Sequence, residues 1–410
     1  MSTQILLTAV PSFRARPGIH SDLIRVCMFA ALSMPLSVAS AGEIDQASLS
    51  KSVDNLAASY FDAKNPGCAL GVIHQGKYVH KTGYGMANLE HNIPITSKSV
   101  FRIGSTSKQF TSMAIAILAE RGALDLDADV HTYLPELIDY DHKVTIRQMV
   151  HHIAGMGDYD LEVFTRPDGS PFRFGNEDYW SIEEFYAEVA AAALIHPPES
   201  KWQYSNLAYF LLSIVVEKVS GKTLRGFGQE EIFAKLDMPA TLFNDDVNRI
   251  IPNRADGYKK LEDGSYEIFM TNLSWVGDGG IYTNLDDFIA WDQNFYHNKL
   301  GKDGQDLIDL VESPHPKAYF STEGPEQAGD ETEAGKKSMA GYAFGQMVDK
   351  YRDERRISHN GGWVGFISTY RRFPDLSLSV VSFCNIPDRS AGEFWEKVTD
   401  IYITAVKEAK

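Results

Sequence analysis

The order of structural signals along the chain predicts an α+β protein: an antiparallel sheet formed by the N- and C-terminal segments, flanking helices, and an inserted, mostly helical lobe. Three observations carry this. Short strand-like runs bounded by turn residues lie near both ends, an amphipathic helix accompanies each set, and helical periodicity dominates the stretch between them. Terminal segments that pair in one sheet around an inserted lobe leave a cleft at the seam, where active sites commonly lie.

Residues 1–41 have the marks of an export signal. Arg14, Arg16 and Arg25 supply a basic region, residues 26–36 an apolar one, and Ala39-Ser40-Ala41 a small-residue cleavage site. The apolar run is too short to span a membrane and contains Pro35. The expectation is a secreted or periplasmic protein cleaved near Ala41, with no stable membrane anchor. Residues 42–410 then form one domain, with the sheet subdomain at about 42–103 and 340–410 and the helical lobe at about 104–339.

Within that domain, residues 49–60 read as an amphipathic helix. Residues 68–73 and 77–84 read as a hairpin turning at His74-Gln75-Gly76. Residues 110–119 are almost wholly apolar, a helix buried on all sides, stopped by Gly122. Residues 145–152 form a short helix running into a glycine-rich turn at 154–159. The stretch 160–180 is polar, aromatic and irregular. Ser181-Ile182-Glu183-Glu184 is a capping box opening a helix expected to reach Leu194, and a second strongly apolar helix spans 206–219 before Gly221. Strand character returns at 265–270 and 277–282. Residues 321–338 look like a surface loop, and 342–348, 355–358, 365–373 and 378–384 like antiparallel strands before a last amphipathic helix.

Composition narrows the function classes. The chain has 410 residues, 44% hydrophobic and 23% charged, with a net charge of −16. So acidic a protein does not seek nucleic acid or anionic lipid. Of three cysteines, Cys27 lies in the signal-like region, while Cys68 and Cys384 lie in strand-like segments. They could pair if adjacent in one sheet, but two cysteines make no disulfide framework, so two buried free thiols are expected.

The chemistry concentrates at the start of the buried helix. Ser105 and Lys108 are three residues apart, so their side chains share one helical face. A serine hydroxyl becomes a good nucleophile when a base takes its proton, and a neutral amine within hydrogen-bond reach can do so. Lysine ordinarily titrates at about 10.4, so neutrality near pH 7 needs a fall of roughly three units, which burial and a helix N-terminus both favour. Alone, the pair is better read as a helix cap and a solvated charge; Ser48-Leu49-Ser50-Lys51 has the same spacing at an ordinary helix start.

Two further motifs strengthen the reading. Tyr204-Ser205-Asn206 opens the second apolar helix: a phenol there can share proton traffic with Lys108, and the Asn206 amide can hold the lysine. By itself it would be an Asn cap with an aromatic staple. His359-Asn360-Gly361-Gly362 leads into an edge strand, where the Gly362 N–H, with that of Ser105, would form an oxyanion hole and the glycines would let substrate approach closely. The alternative is a solvent-facing turn.

Ser105-x-x-Lys108, Tyr204-x-Asn206 and His359-x-Gly361, in this order, resemble the active-site set of the penicillin-recognising serine hydrolases. The chain is most similar to the class C beta-lactamase-like group, which also holds D-aminopeptidases, DD-carboxypeptidases and esterases. Flanking phrases such as Phe101-Arg102-Ile103-Gly104-Ser105 and Gly277-Asp278-Gly279-Gly280-Ile281 extend the likeness over about residues 50–405. The resemblance implies a beta-lactamase/transpeptidase-like fold and an acyl-enzyme on Ser105. It makes Lys108 the base, Asn206 its orienting group and Tyr204 a second proton carrier, with Asn360 and Gly361 meeting the substrate. No metal or cofactor is implied. The substrate would be a small ester, amide or peptide, with D-amino-acid peptides as one candidate. The alternatives are a penicillin-binding-type protein that deacylates slowly or not at all, and a true beta-lactamase. His359 stands where true class C beta-lactamases carry lysine; a largely neutral histidine would donate one hydrogen bond to Tyr204 or the substrate.

Three other matches are set aside by chain order. Lys81-Thr82-Gly83 and His74-Gln75-Gly76 precede the serine, and Tyr282-Thr283-Asn284 stands far from the required place. His151-His152 lacks further ligands at zinc spacing.

Overall fold

A computed structural model describes residues 44–158, 178–302, 304–321 and 339–410. The helices that position the site are α1 (Gln46–Ala57), α2 (Lys108–Glu120), α3 (Ile146–Val150), α4 (Ile182–Val189), α5 (Asn206–Ser220), α6 (Leu285–Asn294), α7 (Asp306–Glu312) and α8 (Ser390–Glu408). The strands are β1 (Cys68–His74), β2 (Lys77–Tyr84), β3 (Phe101–Arg102), β4 (Leu242–Phe243), β5 (Ile281–Thr283), β6 (Tyr319–Ser321), β7 (Met339–Tyr342), β8 (Met347–Tyr351), β9 (Glu354–Trp363), β10 (Phe366–Phe373) and β11 (Leu378–Cys384).

Among the described residues the main sheet has eight strands in the order β6-β7-β8-β9-β10-β11-β1-β2, all neighbours antiparallel. β11 and β1 close it: the last strand of the chain pairs with the first over seven residues, from Cys68↔Cys384 to His74↔Leu378. The sheet reaches back to Tyr319, inside the stretch assigned to the helical lobe by sequence. A small sheet, β3-β5-β4, anchors the residues just before Ser105.

Strand alternation separates two cores. Leu70, Val72, Leu378 and Val380 pack with α1 and α8 on one face, while Ala69, Val381, Phe383 and Tyr370 join the larger core built around α2 and α5. Both faces being covered, β11 is buried at every position and reads as a continuous apolar run.

Helices α2 and α5 are nearly all apolar because they lie at the centre of that larger core. α5 ends at Gly221 with φ of 70°, as its stop signal predicts. α4 opens with the expected capping box but ends at Val189 instead of Leu194. There the Ala190 carbonyl accepts from Ile138 N–H, and Leu194 bridges to Met156. Tertiary hydrogen bonds override the helix propensity of the alanine run.

Strand character differs from expectation in three places. The run 342–348 is broken by a turn in which Gly345 takes φ of 68° and lies against the backbone of Lys108 and Gln109. Of the 277–282 segment only Ile281 and Tyr282 are strand, and that strand runs on to Thr283; the preceding turn brings the Asp278 carbonyl to Lys108. β9 runs on through His359-Asn360-Gly361-Gly362, so that motif is itself strand.

Cys68 and Cys384 are joined by a disulfide, correcting the expectation of free thiols. They are direct cross-strand partners, and that proximity follows from register, which spacing in the sequence does not reveal. Most of the aromatic stretch 159–180 and of the loop 321–338 lies outside the described residues.

Candidate active site

Ser105 sits in a 3₁₀ turn, Gly104–Ser107, that runs directly into α2, of which Lys108 is the first residue. Lys108 is fully buried. Its amine lies 2.6 Å from Asn206 Oδ1, 2.7 Å from the Asp278 carbonyl and 3.3 Å from Ser105 Oγ. Two of these partners can only accept hydrogen bonds. When the amine is neutral, its two N–H bonds satisfy both carbonyls, and the remaining tetrahedral direction, the lone pair, faces the serine hydroxyl. When charged, all three partners accept. The cage therefore suits both ends of a proton transfer.

Tyr204 covers the lysine from the side, with the amine 4.8 Å from its ring centroid. Burial pushes its phenol well above the ordinary value, and the charges of Asp158 and Asp278 add to that. Ser105 is close enough to counter part of the rise, yet the Tyr204 hydroxyl makes no hydrogen bond of ordinary geometry among the described residues. Burial thus keeps the phenol in its protonated form.

Glycines set the Ser105 turn against β9. A Cβ on Gly104, whose φ is 50°, would lie 2.7 Å from Gly362 N, and one on Gly361 would lie 1.9 Å from the Ile103 carbonyl oxygen. Gly361 thus serves close packing of protein on protein, where substrate approach was expected. Pairing of β8 with β9 stops at Ser358, which leaves the edge of β9 around Gly362 clear of β8, with Gly362 against Gly104, the residue before Ser105. An oxyanion hole of the Ser105 and Gly362 amides would need an uncovered strand edge of this kind.

Two expectations for β9 need correction. Asn360 alternates with Gly361 and so projects to the opposite face, where its Oδ1 accepts from Thr369 Oγ1 at 2.7 Å. Its side chain turns away from Ser105, leaving only its backbone for any substrate contact. His359 faces the correct side, its ring centroid 6.2 Å from that of Tyr204, but it makes no hydrogen bond to the Tyr204 hydroxyl. Its Nδ1 is 2.5 Å from the Asn360 carbonyl, which can only accept, so Nδ1 carries the proton; Nε2 then accepts from the Tyr342 hydroxyl at 3.0 Å. Burial, helped by the charge of Lys108, lowers His359 to about 3, so the ring is neutral.

Sequence reasoning missed four contributors: Asp158, Asp278, Tyr342 and His152. Asp158 Oδ2 accepts from both the backbone N–H and the side-chain amide of Asn206, each at 3.0 Å. His152 packs on Tyr204 and Tyr342 with ring centroids 4.4 Å away, and its Nδ1 accepts from Ser205 N–H at 3.2 Å. Asp278 could have been suspected from its glycine-rich phrase, but a backbone carbonyl leaves no side-chain signal. The rejected matches stay apart from this cluster: Lys81 pairs with Asp286 at 2.8 Å, and Tyr282 lies in β5 opposite Arg102.

Residues 51–399 match the protein family described as Beta-lactamase. A penicillin-binding protein of Bacillus subtilis is 26% identical over 328 residues, which cover 76% of this chain and 66% of that protein. A D-aminopeptidase of Gluconobacter oxydans is 28% identical over 229 residues, covering 56% of this chain and 42% of that one. The chain thus spans less than two-thirds of the length of either relative. Among solved structures, EstCE1, described as a hydrolase with promiscuous acyltransferase activity, superposes with a TM-score of 0.70 at 20% identity, covering 88% of this chain and 99% of its own. The D-amino acid amidase of Ochrobactrum anthropi does so at 0.68 and 18%, covering 89% and 99%. These likenesses establish the α+β beta-lactamase/transpeptidase-like fold. With a match that runs from within α1 into α8 and takes in all three motifs, the chain belongs to the Beta-lactamase family of serine hydrolases.

Proposed function

We propose that this protein is an exported serine hydrolase that cleaves a small ester or amide through a covalent acyl-enzyme on Ser105. The observation that carries the reading is the Lys108 amine held by the Asn206 and Asp278 carbonyls with its third direction on Ser105 Oγ. In the proposed sequence Lys108 takes the Ser105 proton as Oγ bonds to the acyl carbon. The carbonyl oxygen gathers the charge between the Ser105 and Gly362 amides, and the proton passes through Lys108 and Tyr204 to the leaving alcohol or amine. Water then adds to the acyl carbon, its proton passing through Tyr204 and Lys108 to Ser105 Oγ as the acyl–oxygen bond breaks and the carboxylic acid leaves.

A D-amino-acid amide or peptide is the favoured amide substrate, supported by the D-aminopeptidase relative and the D-amino acid amidase fold neighbour. Neutral His359, with both ring nitrogens used inside the protein, offers no fixed charge for a substrate carboxylate, which weighs against penicillins as the main substrate. Export is supported by the signal-like N-terminus and by the Cys68–Cys384 disulfide, a bond typical of oxidising compartments.

Intact-mass spectrometry after a fluorophosphonate, run beside Ser105→Ala, tests the nucleophile; p-nitrophenyl esters, D-amino-acid amides and nitrocefin then rank substrates. The expected result is one adduct on the wild type and none on Ser105→Ala. Full hydrolytic activity in Ser105→Ala overturns the assignment. A burst of product equal to enzyme, with no later turnover, shows a penicillin-binding-type protein. N-terminal sequencing of secreted material tests cleavage near Ala41.

A further inference from the structure

The loop from His152 to Asp158 closes over the N-terminus of α5, where Tyr204 and Asn206 stand. Four contacts fasten it there. Gln203 N–H donates to the His152 carbonyl at 2.9 Å, and Ser205 N–H donates to His152 Nδ1 at 3.2 Å. The Ser205 hydroxyl donates to the Gly157 carbonyl at 2.7 Å, and Asn206 gives both its backbone and amide N–H to Asp158. His152 with φ of 59° and Gly155 with φ of 81° let the loop turn this tightly, and a Cβ on Gly155 would lie 2.1 Å from the His196 carbonyl oxygen.

The last contact bears on the chemistry. An asparagine amide can turn over, exchanging its oxygen and nitrogen at little cost unless its partners differ. A carboxylate can only accept, so Asp158 requires Asn206 Nδ2 on its side and thereby turns Oδ1 onto the Lys108 amine, 2.6 Å away. A turned amide would present N–H in place of an acceptor, drawing the lone pair of the neutral amine away from Ser105 and repelling the charged amine. Asp158 is itself buried, and its carboxylate sits on the first N–H of a fifteen-residue helix, where the helix dipole favours a negative charge.

We propose that Asp158 is a positioning residue of the catalytic machinery, which through Asn206 holds the Lys108 amine in line with the Ser105 hydroxyl. The proposal rests on the Ser105 reading above and deepens it.

The test compares Asp158→Ala, Asp158→Asn, Asn206→Ala and Asp158→Ala/Asn206→Ala with the wild type on p-nitrophenyl butyrate, with Ser105→Ala alongside and thermal unfolding recorded for each. Asp158→Ala is expected to lower kcat by at least about 10-fold with KM changed less than about 3-fold, as befits loss of alignment in an acid–base step. Asp158→Asn keeps an acceptor oxygen and is expected to recover most of that loss. The double variant is expected to be no slower than Asn206→Ala, because the two residues act on one group. Wild-type kcat in Asp158→Ala overturns the proposal. So does additivity of the two single losses, or an Asp158→Asn variant that folds as the wild type and is as slow as Asp158→Ala. Full activity in Ser105→Ala instead overturns the reading of the nucleophile, whatever Asp158 does.

Discussion

Gly104 and Gly362 meet so closely that a single added methyl group on Gly104 would stand 2.7 Å from the Gly362 nitrogen. The Ser105 turn and the β9 edge are thus held together backbone to backbone. The spacing between the Ser105 and Gly362 amides is set by glycine at positions 104 and 361, while Gly362 itself faces open space.

Gly361→Ala and Gly362→Ala are accordingly expected to part company. The first drives a Cβ into the Ile103 carbonyl and the Ser368 hydroxyl and should cost about 1–3 kcal/mol of stability. The second meets nothing within 4 Å and should unfold at the wild-type denaturant midpoint. Equal midpoints for the two variants would contradict the packing described.

Lys108→Ala and Tyr204→Phe are each expected to reduce turnover of a p-nitrophenyl ester by at least roughly 10², the usual scale of general acid–base groups. Stopped-flow measurement separates the steps. Lys108→Ala should lose the acylation burst, and a burst of wild-type rate in that variant would remove lysine from the role of base.

His359 should make the protein less stable in acid. Its folded value of about 3 lies below the ordinary 6.5, so between those values the unfolded chain binds a proton that the folded chain refuses. The contribution of the neutral ring is complete above about pH 6.5 and is lost as pH falls towards about 3. His151, buried and lowered to about 4, acts in the same direction. Denaturant midpoints should therefore fall from about pH 7 to about pH 4, less steeply in His359→Gln. An unchanged slope in that variant counts against the neutral, buried ring.

Reduction of Cys68–Cys384, or the paired change of both to serine, is expected to remove about 2–5 kcal/mol of stability, since the bond closes a loop spanning 316 positions. Non-reducing intact mass together with urea unfolding checks this. A midpoint unmoved by reductant would show that the bond contributes little.

The chain's local chemistry was legible without coordinates. A run such as Phe110 to Leu118 has too few polar positions for a surface helix, and Ser105 and Lys108 share a face by helical repeat alone. What needed the tertiary structure were facts about neighbours distant in sequence. Which face Asn360 points to depends on how the pleat of β9 falls relative to the two cores, and one step of register reverses it. Whether Cys68 and Cys384 bond depends on β1 and β11 being adjacent. The cage around Lys108 draws on the Asp278 carbonyl and, through Asn206, on Asp158. A main-chain oxygen looks the same at every position of a sequence, and an aspartate in a loop declares its partner only once the loop has folded back upon a helix.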